Sequence, residues 1–453
     1  MNSDRLGGVI ASIEKLLHAT LERDDKDRFA ATIVILSTVL GDRDIAREHL
    51  VSAVDDPVLG AMAVRTYYFY TGDWQGTKPA LKRLTSLFKK SSTSLIRSTD
   101  PERSEIAFGQ PGSPLRLEEG DFYALDATIF KLIALETVVD ILKTKDYEKS
   151  ERFKKMYTEL KNRAEITLYN EEMGLYMNRM RSGEWSKMYG IGSMLAPLAG
   201  LTYDFSRLEN VILSLKSEKR FSAVNGVPSL PRSNYFFNRT FFDFNGVKSD
   251  GFESYAGMIS PSFNYLVYMG LLRMGATADA RELASKCLKA FLTEESRFKY
   301  PEYYMPDWQK TTARDVNNLN AALMAVLSII DVININVFGE GLSIGSYGED
   351  ITLEGIVIDG RDFTLSRLDG RTVLYMAEEP RFVFTAPVTV FGYRESSNAI
   401  SFSVSTATDY DFYLKYPLAR KTGTHAVSAA GKAGKSFIRI DRTSGAVSVI
   451  KFA

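Results

Sequence analysis

A mainly α fold is expected, an (α/α)6 toroid barrel of helical hairpins followed by a small C-terminal β-sandwich, and three observations predict it. Up to about residue 332, apolar residues recur mostly at helical spacing. Twelve such segments can be counted, joined by short turns within pairs and by longer loops between some of them. Beyond residue 332 the spacing changes to alternation punctuated by glycine, the pattern of short strands.

The helical segments fall near 5–22, 26–40, 43–54, 57–70, 75–91, 122–144, 147–168, 186–200, 204–216, 256–274, 277–292 and 316–332. Gly72 in "TGDW" and Gly275 in "RMGATADAREL" end helices, and Thr277 starts the next one. Long loops near 92–121, 169–185, 217–255 and 293–315 separate some of the pairs. Six hairpins of this kind can close into a ring. An open solenoid is the other arrangement open to tandem helix pairs, although no fixed period recurs. The second regime begins at "INVFGEGLSIG", and Asp359-Gly360 and Asp369-Gly370 mark hairpin turns within it. Eight or more strands in so short a stretch predict a sandwich. The expected domains are thus a catalytic barrel over 1–332 and a structural sandwich over 333–453.

The chain of 453 residues is long enough for one large domain or two ordinary ones. Its 56 basic residues balance 56 acidic ones, which gives no electrostatic reason to expect nucleic acid or an anionic membrane as partner. Cys287 stands alone, so an intrachain disulfide and a thiolate metal cluster are excluded. The opening "MNSDRLGGVIASIEKLL" is an amphipathic helix without the apolar core of a signal peptide, and no apolar run reaches membrane-spanning length. A cytoplasmic location is therefore expected; nothing in the sequence specifies an oligomeric state. Histidine is restricted to His18, His49 and His425, which argues against a Ser-His-Asp triad or a histidine-rich metal site. Acid–base chemistry then falls to carboxylates and tyrosines, with no cofactor and no metal expected.

In a ring of hairpins the long loops gather at one end and can line a central cavity. Two of them carry acids in unusual company. Asp126 stands in "GDFYALDATIFKLIALETVVDIL", just before a broad apolar face made by Ile129, Phe130, Ile133, Leu135, Val138 and Leu142. It either caps that helix or faces the cavity. Glu302 lies in "FKYPEYYMPDW", residues 298–308, among five aromatics and two prolines. Either those rings pack a turn, or sugar rings stack on them beside a carboxylate. Asp126 falls by the start of the sixth helix and Glu302 between the eleventh and twelfth. The sixth and twelfth stand opposite each other in such a ring, so the two acids would face each other across the cavity mouth. Glycoside hydrolysis uses such a pair, one carboxylic acid protonating the leaving oxygen and the other carboxylate activating water. Inverting enzymes space them by roughly 6.5–9.5 Å.

The stretches "YNEEMGLYMNRM" (169–180), "GVPSLPRSN" (226–234), "SPSFNYLVYMGLLRMGATADARELASKCLKAF" (260–291) and "YPEYYMPD" (300–307) resemble the (α/α)6 glycosidases around glycoside hydrolase families 63 and 37. These include mannosylglycerate hydrolase-like proteins, processing α-glucosidases and trehalases. The likeness covers about residues 118–332, and residues 1–117 match nothing beyond helix pairs. It implies that Asp126 is the general acid and Glu302 the general base of an inverting exo-glycosidase acting on a small α-glycoside, an α-glucoside or α-mannoside. Further candidates for the same face are Tyr123, Trp185, Arg232, Asn234, Glu253, Tyr255, Tyr303, Tyr304 and Trp308. Most also have an ordinary reading: core for Tyr123, a helix staple for Trp185, loop solvation for Arg232 and Asn234, packing for Tyr303, Tyr304 and Trp308; Glu253 and Tyr255 stand at a position that the resemblance places facing the cavity. The chain departs from the pattern where relatives carry a tryptophan before the "NYL" element; it has "AGMIS" at 256–260. That departure leaves open a catalytically silent carbohydrate-binding or scaffold protein, or an amylo-1,6-glucosidase-like debranching activity.

Overall fold

The computed structural model describes residues 3–88, 93–97, 121–186, 189–201, 205–234, 237, 257–295, 300–307, 317–333, 337, 342–345, 351–358, 361–376, 379–386, 388–395, 398–406, 408–417 and 424–451. Twelve α-helices occur among these residues. They are α1 (Ser3–Leu21), α2 (Ala30–Leu40), α3 (Arg43–Ala53), α4 (Gly60–Thr71), α5 (Trp74–Ser86), α6 (Leu125–Leu142), α7 (Tyr147–Thr167), α8 (Gly192–Leu195), α9 (Phe205–Lys216), α10 (Pro261–Arg273), α11 (Thr277–Glu295) and α12 (Ala322–Ile333). Each helical segment read from the spacing meets one of them, with ends shifted by a few residues. The greatest trimming is at α8, which gives way after Leu195 to a 3-10 turn over Ala196–Ala199. Pro197 explains this, because it has no N–H to continue the ladder.

Burial alternates along the chain. Helix α2 is buried without a break from Ala30 to Thr38, and α6 nearly all the way round, whereas α7 buries a stripe that includes Phe153, Leu160 and Ala164. A helix that is apolar on every side needs neighbours on every side. The contacts supply them: α2 touches α4, α4 touches α6, α6 touches α8, α8 touches α10, α10 touches α12, and α12 returns to α2. An open solenoid would leave α2 and α12 apart. The odd-numbered helices lie against this inner set, α7 on α6 and α11 between α10 and α12, for example. Residues 3–88 thus supply α1 to α5 and two of the six inner helices.

Charged side chains pair between the inner helices, one of them fully buried. Arg65 of α4 is fully buried; its Nε donates to the Val337 carbonyl at 2.7 Å and its Nη2 to Asp140 of α6. Arg273 at the end of α10 bonds both oxygens of Glu136 of α6, at 2.7 and 2.5 Å. Burial raises the Asp140 carboxyl above its ordinary value, against the pull of Arg65. These pairs tie α4 to α6 and α6 to α10, and the Val337 carbonyl ties α4 to the start of the strand-rich region.

That region contains two antiparallel sheets. One has the order β15 (Val447–Lys451), β14 (Gly434–Asp441), β11 (Ala399–Thr406), β10 (Thr389–Glu395), β5 (Leu342–Gly345). The other has the order β13 (Thr424–Gly431), β12 (Tyr410–Pro417), β9 (Glu379–Phe384), β8 (Arg371–Met376), β7 (Arg361–Leu368), β6 (Ile351–Ile358). Phe402 of the first sheet meets Phe382 and Phe412 of the second edge-to-face, with centroids 5.7 and 5.8 Å apart. Asp369 and Gly370 join β7 to β8 with φ of 52° and 74°, the two positive values that a tight hairpin of matching twist requires. Asp359-Gly360 lies outside the described residues. Among the described residues, no helix is long and apolar enough to cross a membrane.

Candidate active site

Short backbone pairings link the segments that lead into the inner helices. Ala124 N–H donates to Ile96 O at 2.8 Å, and β1 (Phe122–Tyr123) pairs with β4 (Arg179–Met180). Ile191 N–H donates to Ser229 O and Ser229 N–H to Met258 O, both at 2.9 Å. Ile259 and Tyr304 exchange bonds at 2.9 and 3.0 Å, and Asn318 N–H donates to Tyr300 O at 2.9 Å. Asn320 then accepts from Thr32 of α2 at 2.5 Å. The result is a collar of extended pieces that passes the starts of α6, α8, α10, α12 and α2. Each piece is too short to be a sheet, but each gives buried backbone groups their partners. The starts of the inner helices also present N–H groups and the positive ends of helix dipoles to this collar.

Asp126 is the second residue of α6 and is 6% exposed. It does not cap the helix, as one reading of the sequence had it. The N-cap is Ala124, which has no oxygen to offer, and the missing acceptor is Asn178, whose Oδ1 takes the Leu125 N–H at 2.9 Å. The Asp126 carboxylate itself accepts from Ala127 N–H at 2.7 Å, which holds it at the helix start. Gly192 opens α8 directly beside it: a Cβ there would stand 3.7 Å from that of Asp126. Replacing Asn178 by Ala is expected to cost about 1–2 kcal/mol, the usual loss for a helix cap. A shift of the urea midpoint at constant slope would measure it, and an unmoved midpoint would show that another acceptor takes over.

Glu302 lies midway between the two collar bonds at Tyr300 and Tyr304 and is partly exposed. The tyrosines around it serve packing. Tyr304 is 1% and Tyr303 6% exposed, Tyr303 packs with Met258 and Met305, and Tyr300 stacks on Phe291 at 5.1 Å. Burial of the aromatic run therefore fixes the backbone that carries the carboxylate.

Asn264 of α10 holds the neighbouring loop. Its side chain bonds Val227 through both N–H and carbonyl, at 2.7 and 2.9 Å. Gly226 is obligatory there: its φ is 143°, and a Cβ would come within 2.7 Å of the Asn264 oxygen.

The remaining candidates scatter. Tyr123 is half-buried in β1, pairing with Arg179 and bridging to Arg97. Trp185 is half-buried, not at a helix start but in a bridge to Arg179, whose guanidinium lies 5.0 Å from the ring centroid. Asn234 sits in a turn closed by its N–H to Pro231 O at 2.8 Å. Arg232 is engaged with the Asp307 carboxylate and with Ser222 O, the latter at 2.8 Å. Glu253, Tyr255 and Trp308 lie outside the described residues. At the rim, Asp121 takes Arg97 at 2.6 Å and Arg181 at 3.5 Å, and the Arg97 hydrogen bond chiefly holds its carboxyl below the usual range. Asn178, Asn225 and Asp307 were not singled out from the sequence. For Asn178 there was a signal: an alanine at the cap position demands an outside acceptor.

Residues 127–312 match the family model of the mannosylglycerate hydrolase MGH1-like glycoside hydrolase domain. Among curated proteins, none matches the sequence significantly. Among solved structures, a sialidase is similar with a TM-score of 0.60 and 11% identity, over 74% of this chain and 32% of its own. The chain thus spans about a third of that sialidase. An uncharacterized conserved protein from Thermus thermophilus is similar with a TM-score of 0.50 and 15% identity, over 66% of this chain and 91% of its own. A GH63 mannosylglycerate hydrolase from the same organism, in complex with Tris, has a TM-score of 0.48 and 14% identity, over 66% of this chain and 92% of its own. At these identities the first two structures speak to fold alone. Residues 127–312, less than half of the chain, are thus similar to the mannosylglycerate hydrolase MGH1-like glycoside hydrolase domain.

Proposed function

We propose that the protein is an inverting exo-glycosidase that hydrolyses a small α-glycoside, an α-glucoside or an α-mannoside. Asp126 is the general acid and Glu302 the general base. The observation that carries this reading is the collar: the start of α6, with Asp126, lies against Gly192 of α8, and the Ile191–Ser229, Ser229–Met258 and Ile259–Tyr304 bonds lead from there to the segment that carries Glu302. Asp126 is deeply buried and Glu302 partly exposed, a difference that suits a proton donor to the leaving oxygen and a base that must reach water. The chemistry is acid–base throughout and calls for no cofactor. In this reading residues 1–332 are the catalytic (α/α)6 toroid. Residues 333–453 are a β-sandwich that braces it, through the Arg65–Val337 bond and the contact of α4 with β6.

The test is incubation with a panel of α-glucosides and α-mannosides, mannosylglycerate included, while the anomer first released is followed by proton NMR. Release of the β-anomer is expected. First release of the α-anomer would exclude inversion, and binding without hydrolysis across the panel would favour a silent carbohydrate-binding protein.

A further inference from the structure

We propose that Arg232 and Asp307 form a latch that positions Glu302 from behind, so that Arg232 acts on the reaction through the loop and not by binding sugar. The proposal rests on Glu302 as the general base. The Arg232 guanidinium donates to the Asp307 carboxylate and, through Nε, to Ser222 O at 2.8 Å. Its own N–H is bonded to Arg220 O at 2.8 Å, so its position is set before the latch closes. Asn225, on the same loop, grips the adjoining residues: its N–H donates to Pro306 O at 3.0 Å and its Nδ2 to Met305 O at 2.8 Å. The segment from Tyr300 to Asp307 is thus held at Tyr300, at Tyr304, at Met305 and Pro306, and at Asp307. Of these anchors, the Arg232–Asp307 pair is the one built from opposite charges. Arg232 also borders a surface cleft that it shares with Ser285, Lys286 and Lys289 of α11, an outer helix. That places it on the outer side of the loop. The pair is half-buried, with side-chain exposures of 30% and 23%, enough shielding for a charge-assisted bond to set geometry while Nε is held by Ser222 O.

A substrate-binding arginine and a positioning arginine fail differently when changed. Loss of a group that binds substrate and transition state alike raises KM; loss of one that places the base lowers kcat. The experiment is a double-mutant cycle in the full chain with Arg232→Gln, Asp307→Asn and both together. It is assayed on whichever aryl α-glucoside or α-mannoside the parent cleaves, with melting temperature measured alongside. Arg232→Lys is the milder control, and Glu302→Gln is run in parallel. Each single change is expected to lower kcat by about tenfold or more, in keeping with the cost of a small misplacement, with KM moving less than about threefold. The double variant should be no slower than the slower single one, because both break the same contact. Arg232→Lys should fall between, since it keeps the charge and loses the fork. A rise in KM with kcat preserved, multiplicative losses in the double variant, or parental kcat in all of them would overturn the latch. If Glu302→Gln is inactive while these variants keep parental kcat, the latch alone fails. If Glu302→Gln retains turnover, it is the assignment of the base that fails.

Discussion

Replacing Glu302 by Gln is expected to reduce turnover by a factor on the order of 10²–10⁴, the usual contribution of a positioned general base, while leaving the fold intact. The side chain is partly exposed, and the backbone of its segment is held by bonds at Tyr300 and Tyr304 that do not involve the carboxylate. Glutamine keeps the volume and removes the capacity to take a proton from water. The informative readout is kcat on a substrate that the parent cleaves, together with an unchanged melting temperature. Full activity in the variant would remove Glu302 from the mechanism.

Asp126→Asn is the second large effect, and its size should depend on the leaving group. A general acid matters most when the departing alkoxide is a poor leaving group, and least when it is an activated phenolate. The variant is expected to lose a factor on the order of 10²–10⁴ on an alkyl glycoside or a disaccharide and far less on a nitrophenyl glycoside. Asparagine can still accept the Ala127 N–H that the carboxylate now takes at 2.7 Å, so the start of α6 should survive. Equal slowing of both substrates would point to a structural role for Asp126 and away from proton donation.

How much of this could be read beforehand differs from residue to residue. The helices were legible because an outer helix such as α7 writes a 3.6-residue spacing into the chain and an inner one such as α2 a continuous apolar run, and Gly72 and Gly275 punctuate them. The Asp369-Gly370 turn was legible for a similar local reason: few dipeptides accept two positive φ values. The site was legible only in outline. Asp126 and Glu302 stood out by type and surroundings, but the tyrosines beside Glu302 looked like a sugar platform and are instead largely buried. Exposure is not a property of sequence. Arg232 looked like a ligand for hydroxyls, and its partner, 75 residues away, was invisible until the loops met. Asn178 was overlooked because its task, capping α6 from 53 residues away, belongs to the tertiary fold.

The sequence by itself determined which segments coil, which extend, and which acids were available for chemistry with so few histidines and a lone cysteine. Those are consequences of local periodicity and of side-chain type. The tertiary structure alone decided that α12 returns to α2, that the start of α8 lies against Asp126, and which polar groups hold the paired loops in place. Such choices rest on contacts between residues far apart in the chain, which bury apolar faces while the paired loops keep their backbone groups bonded.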